Sequence, residues 1–134
     1  MTIQRKNPAN VAPPVGRYHH LCIIPAGSEI LAIAGQVGVD AQGNLPDSVE
    51  DQLQNALDNV ARILESEGLD TLAVFKVNMW LAREIDRERY VAMWRAFHHD
   101  EPPATMFAYV ARLVRPEYLV EVEAWAARTP QPAG

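Results

Sequence analysis

Leu119-Val120-Glu121-Val122-Glu123-Ala124-Trp125-Ala126 is the stretch that decides the fold. Apolar and polar side chains alternate through it. Val120, Val122, Ala124 and Ala126 therefore share one face of a strand, and Glu121, Glu123 and Trp125 share the other. Ala73–Ala82 repeats the pattern, with Phe75, Val77, Met79 and Leu81 on one face and Lys76, Asn78 and Trp80 on the opposite one. Each strand has an apolar face that needs a cover and a mixed face that carries tryptophan.

The cover comes from two helices. The first is expected over Ser48–Glu67, where Val49, Leu53, Leu57, Val60 and Leu64 form one apolar stripe. Asp47 or Ser48 caps its first turn, and Gly68 stops it as a left-handed residue. The second is expected over Arg87–His98. Asp86 is its N-cap, Ile85 and Tyr90 form a hydrophobic staple, and Tyr90, Met93, Trp94 and Phe97 make the buried face. Pro102 and Pro103 lie beyond its end. Arg83, Arg87, Arg89 and Arg95 alternate with Glu84, Asp86 and Glu88, which reads as a solvated face.

The remaining segments read as strands. His20–Pro25 and Glu29–Ala34 flank Ala26-Gly27-Ser28 and are expected to pair as a hairpin. Thr105–Leu113 and Leu119–Ala126 flank a turn with Pro116 and are expected to form a second hairpin. The order is β-β-α-β-α-β-β, an α/β (α+β) fold with a mixed sheet and two helices on one face. The bare face would then expose Trp80 and Trp125, and a large exposed apolar patch marks an interface. A homo-oligomer meeting through that face is expected; the alternative is that loops or tails of the same chain cover the tryptophans.

With 134 residues, 49% of them apolar and 22% charged, the chain is expected to form a single domain over 1–134. Residues 1–14 and 129–134 are rich in proline and polar residues and read as loosely held tails. Cys22 is the only cysteine, which excludes an intrachain disulfide, fits a reducing compartment such as the cytoplasm, and reads as a small buried hydrophobe. The amino terminus lacks the apolar core of a signal peptide. No apolar run approaches the ~20 residues of a membrane span, so no membrane partner is expected. A net charge of −5 without a basic run argues against nucleic acid.

Ala34-Gly35-Gln36-Val37, Gln52 followed by Ala56-Leu57-Asp58-Asn59-Val60, and Val74-Phe75-Lys76-Val77 stand in that order along the chain. Pro103-Ala104, Val110-Ala111-Arg112-Leu113 and Val120-Glu121-Val122-Glu123-Ala124 follow. Together these segments, spread over Gly16–Ala127, resemble the Rid/YjgF/L-PSP family. The resemblance implies a chorismate-mutase-like fold, a homotrimer with ligand clefts between subunits, and cofactor-free hydrolysis of reactive enamines and imines such as 2-aminoacrylate. By the same resemblance, Tyr18 and Glu121 are the catalytic positions, with Glu121 placing the water, and Gly35 and Gln36 flank the cleft.

The other matched positions depart from the family's pattern. Thr105 stands where the family has its carboxylate-binding arginine, and Phe107 where it has a cysteine. Ala34 replaces a serine, Val91 an asparagine and Trp94 a tyrosine. A carboxylate buried in such a pocket without a cation is costly. The substrate is therefore expected to be less acidic than 2-aminoacrylate, with the Thr105 hydroxyl in place of a guanidinium. Arg17 and Arg115 are two candidates for a replacement cation, and Arg112 reads as a partner for Glu121 or Glu123. The alternative is a catalytically silent trimer that binds a small apolar ligand or a partner protein in the same clefts. The family's ribonuclease label fits poorly with an acidic chain.

Neither His19-His20 nor His98-His99 has zinc-site spacing, and no metal is expected. Glu121 and Glu123 share a face, either as an acid/base pair or as counter-charges for Lys76 and Arg112. Gly35, Gly38 and Gly43 lack a phosphate-loop spacing.

Overall fold

The computed structural model describes residues 2–131. Its elements run β1 (Gln4–Lys6), β2 (Leu21–Ile23), β3 (Glu29–Val37), α1 (Val49–Ser66), β4 (Val74–Leu81), α2 (Arg87–His98), β5 (Ala104–Tyr109) and β6 (Val120–Arg128). A 3₁₀ turn at Thr71–Ala73 leads into β4.

Both helices form where their caps and stripes place them. The Ser48 side chain accepts the Asp51 N–H at 3.1 Å and starts α1. Gly68, at φ +72°, ends it: the Gly68 N–H reaches the Glu65 carbonyl and the Leu69 N–H reaches the Leu64 carbonyl, both at 3.0 Å. The Asp86 carboxylate accepts the Arg89 N–H at 3.0 Å and starts α2. Asp51 and Arg89 pair at 2.8 Å and tie the two helix starts together. Leu53, Leu57, Val60 and Leu64 of α1 are buried against Val77, Met79 and Leu81 of β4 and against Val120, Val122, Ala124 and Ala126 of β6. The apolar alternates of both strands thus lie under the helices, as their period demands.

Strand pairing departs from the sequence reading. The main sheet has the order β3-β6-β4-β5, and β1 and β2 form a separate two-stranded sheet. Neither expected hairpin exists. β2 pairs antiparallel with β1, so Gln4–Lys6, read as part of a loose tail, carries a strand. Residues 1 and 132–134, which the tail reading also included, lie outside the described residues. β5 pairs parallel with β4, with α2 as the crossover, while β6 fills the other edge of β4. The segment between β5 and β6 wraps the end of β4 instead of turning back. The Val110 N–H bonds the Leu81 carbonyl and the Ala82 N–H bonds the Leu119 carbonyl, each at 2.9 Å. A further correction concerns Phe75. A bulge between Val74 and Lys76 shifts the alternation, so Val74, not Phe75, joins the buried face.

Gln52 is the buried polar residue of α1, at 1% exposure. Its amide nitrogen donates to the Pro46 carbonyl at 2.8 Å and the Glu117 carbonyl at 3.1 Å. Its oxygen accepts the Leu119 N–H at 2.8 Å. Replacing it strands one donor and two acceptors. Gln52→Leu is expected to lower unfolding free energy by about 1–3 kcal/mol in urea titrations. Wild-type stability in that variant would show the bonds to be dispensable.

Candidate functional site

β5 is an edge strand. Its alternation turns Thr105, Phe107 and Tyr109 toward the helix side, opposite Val77, Met79 and Leu81 of β4. The start of α2 brings Arg87 and Tyr90 beside them. The loop before β2 brings Arg17 and Tyr18. These residues line a cleft of about 660 Å³.

The loop is held from several sides. The Trp94 indole N–H donates to the Arg17 carbonyl at 2.9 Å. The His19 N–H and its Nδ1–H reach the carbonyls of Pro103 and Pro102, at 3.3 and 2.7 Å. The Tyr18 hydroxyl accepts the Val15 N–H at 3.3 Å. The Thr105 hydroxyl donates to the Pro103 carbonyl at 2.8 Å. Its hydrogen is therefore committed, and only its lone pairs remain for a ligand. The expectation that Thr105 offers a hydroxyl in place of a guanidinium is corrected to that extent: it presents an acceptor.

Of the candidate cations, Arg17 lines the cleft. Arg115 turns to its own loop, 3.8 Å from Glu117 and over the Tyr118 ring. Arg112 bonds the carbonyls of Leu113 and Val114 rather than Glu121 or Glu123. Glu123 is held instead by the Asn78 amide at 2.9 Å. Val91 is half-buried on α2 and lies outside the cleft lining.

Glu121 and the Ala34–Gln36 segment gather elsewhere. One extra residue of β3 between Ile33 and Gln36 makes a bulge opposite β6. Gly35 sits in it, and the Glu121 side chain lies directly over its Cα. A Cβ at Gly35 would come 2.6 Å from Glu121 Oε1. The Gln36 amide donates back to the Ala34 carbonyl at 3.0 Å. Glu121 faces the open side of the sheet beside Trp80, whereas Thr105 and Phe107 face the helix side, with β4 between the two strands. One chain thus carries two half-sites that do not meet: Arg17, Tyr18, Thr105 and Phe107 in one, Ala34, Gly35, Gln36 and Glu121 in the other.

Sequence reasoning missed Tyr90 and Tyr109 as cleft residues. Tyr90 was assigned wholly to the core, and Tyr109 was not singled out, although the Thr105-Phe107-Tyr109 period would have revealed it. Among the described residues no group of His, Cys, Asp and Glu side chains is placed to hold a metal ion.

Residues 9–128 match the family described as Endoribonuclease L-PSP. The chain is similar to a RutC family protein of Saccharolobus solfataricus, 25% identical over 87% of this chain and 90% of that one. Among solved structures it resembles YyfB of Yersinia pestis, a Rid-family protein of unknown function, with 26% identity, coverage of 96% and 100%, and a TM-score of 0.83. It also resembles E. coli TdcF with bound serine, at 28% identity, 87% and 91% coverage, and a TM-score of 0.68. The YjgF gene product of E. coli is 28% identical, with 93% and 98% coverage and a TM-score of 0.67.

Behind the cleft loop lies His98, 2% exposed. Its Nδ1 accepts the Asp100 N–H at 3.1 Å, so the neutral ring carries its proton on Nε2. Burial, and then the Arg17 guanidinium, push its pKa below the ordinary 6.5 against the pull of Asp100. The unfolded chain takes up this proton near pH 6.5 and the folded chain does so only at lower pH. Stability from this group is thus full above pH 6.5 and falls as pH drops toward the folded value. Denaturation midpoints between pH 7.5 and 5 should fall more steeply for the wild type than for His98→Gln; parallel slopes would refute this.

Proposed function

This chain belongs to the Endoribonuclease L-PSP family, whose members are also called Rid or YjgF, and on that premise we propose that it hydrolyses a reactive imine, enamine or related C–N intermediate. The substrate is less acidic than 2-aminoacrylate. The observation that carries this reading is the Glu121 carboxylate seated over Gly35, at a position where the family's resemblance puts the water-placing group. Glu123 beside it is held by Asn78, whereas Glu121 has no such partner among the described residues.

The chemistry is simple to balance. Glu121 takes a proton from water as the water oxygen adds to the carbon of the C=N bond. Glu121 returns that proton to the nitrogen to give a carbinolamine, then carries the hydroxyl proton to the nitrogen as the carbonyl forms, the C–N bond breaks and ammonia leaves, so that the carboxylate is regenerated. Water is the only co-reactant, so no cofactor is required. Tyr18 lines the cleft, and Arg17 and Arg87 are the cations that line it with Tyr18. The lost strand arginine and the committed Thr105 hydrogen both favour a substrate without a buried carboxylate.

The active assembly in this reading is a homotrimer. Two half-sites on opposite sides of the sheet support it, because only a neighbouring copy can bring Glu121 of one chain to Thr105 of another. Trp80 and Trp125 on the uncovered face support it as well. The net charge of −5 supports a small-molecule ligand over nucleic acid, and no helix among the described residues is long and apolar enough to cross a membrane. The cytoplasm, where such intermediates form, is the proposed compartment. The bound serine in TdcF supports a ligand of amino-acid size. The apolar lining favours one other reading, a silent trimer that binds an apolar ligand or a partner protein.

Imines generated in situ, neutral and 2-carboxylated, would separate the two. Neutral imines should disappear faster with enzyme than in buffer, and Glu121→Ala should lower kcat by about 10²–10⁴-fold. Thr105→Arg should shift preference toward the carboxylated set. Silence of the wild type and of Thr105→Arg on every imine would overturn the hydrolase reading in favour of the binder. Sedimentation equilibrium should give three copies; a monomer would remove the shared site.

A further inference from the structure

The geometry points to an aromatic ligand for the cleft beside β5: a planar ring held against Phe107 and Tyr109, with a nitrogen substituent whose N–H is donated to Thr105. The inference rests on the reading of this cleft as the ligand's place and adds the chemical class that fits it.

Three rings form one wall. Tyr90 and Phe107 meet at 5.1 Å with their planes 72° apart, and Phe107 and Tyr109 at 5.4 Å and 84°. Edge-to-face pairs of this kind hold one another's orientation. Tyr109 is 52% exposed, yet its hydroxyl accepts the Ile85 N–H at 3.2 Å, which fixes the ring where it stands. A side chain both exposed and fixed offers an apolar plane whose ordering entropy is already spent. Phe107 occupies the middle of this wall, and a further ring can join the same packing.

Charged side chains of Arg17, Glu84 and Arg87 also line this cleft, and at the ring wall itself Thr105 sets the orientation. Thr105 has given its hydrogen to Pro103, so its oxygen recognises a donor and not a carboxylate. Tyr90 is pushed up to about 12 by burial and by Tyr109, so its phenol stays neutral and repels no ring. Thr105 and Phe107 are two positions apart on one strand face, about 7 Å. A ring beside Phe107 thus has the Thr105 oxygen on its own side of the sheet as an acceptor for an N–H substituent, in a bond of about 2.9 Å.

Benzamide, acetamide and benzoate separate the contributions: ring with donor, donor without ring, ring with acceptors only. In calorimetric titrations of the purified chain, benzamide is expected to bind at least about tenfold tighter than acetamide, and tighter than benzoate. Phe107→Leu and Tyr109→Leu should each weaken benzamide by about three- to tenfold and leave acetamide unchanged. Thr105→Val should close the gap between benzamide and benzoate. Equal affinity of the wild type for benzamide and acetamide, a preference for benzoate, or no binding of any of the three overturns the inference, and these arms need no variant to fold. Turnover of aliphatic imines without ring preference would remove the aromatic class and keep the hydrolase reading; ring preference without turnover would do the reverse.

Discussion

A buried side-chain amide sets the phase of β6. Gln52 binds the backbone at Pro46 and Glu117 and, through its oxygen, the N–H of Leu119, one residue before the strand begins. Gly38 lies so close that a Cβ there would come within 2.5 Å of Gln52 Cα. With Leu119 anchored, Val120 faces the helices and every second residue follows it. A slip of one residue would drive Glu121 and Glu123 into the core and expose the apolar set. Each carboxylate so buried would cost several kcal/mol. The polarity of the whole sheet, one face packed under the helices and one left open, descends from that anchor.

The separation of the half-sites follows from the same phase. Glu121 faces outward because Val120 and Val122 face inward. Thr105 and Phe107 lie on the helix side because they share the faces of Val77 and Met79. β4, paired on both edges, stands between them as a rigid divider. Within one chain the divider holds the two half-sites apart.

Much of this was legible in the sequence, and the illegible part has a common cause. Both helices were read to within a residue or two of their ends, because caps and apolar stripes are local signals. The faces of β4 and β6 were read from alternation, apart from Phe75, where the bulge added a residue. Pairing was not legible. Period two says which way a side chain points but not which strand lies beside it, and neighbours in sequence were taken as neighbours in space. The crossover of α2 and the wrap of 110–119 around the end of β4 are tertiary outcomes. At the site, Gly35 and Glu121 were named from resemblance and do lie together. Thr105 was named for its hydroxyl, but the direction of that hydrogen depends on the Pro103 carbonyl, which a sequence does not place. Tyr90 was read as core because its helix stripe is real; its second role, toward β5, needs the fold.

The contact between Gly35 and Glu121 also constrains how this protein can change over time. A methyl at position 35 and a long carboxylate at position 121 exclude one another at 2.6 Å unless the carboxylate swings away. The two positions are thus sterically coupled. A side chain at position 35 requires the carboxylate at position 121 to be shortened or turned away. A change at one of this pair is therefore felt by the other, whereas Thr105 and Phe107, on the other face of the sheet, can be replaced without touching it.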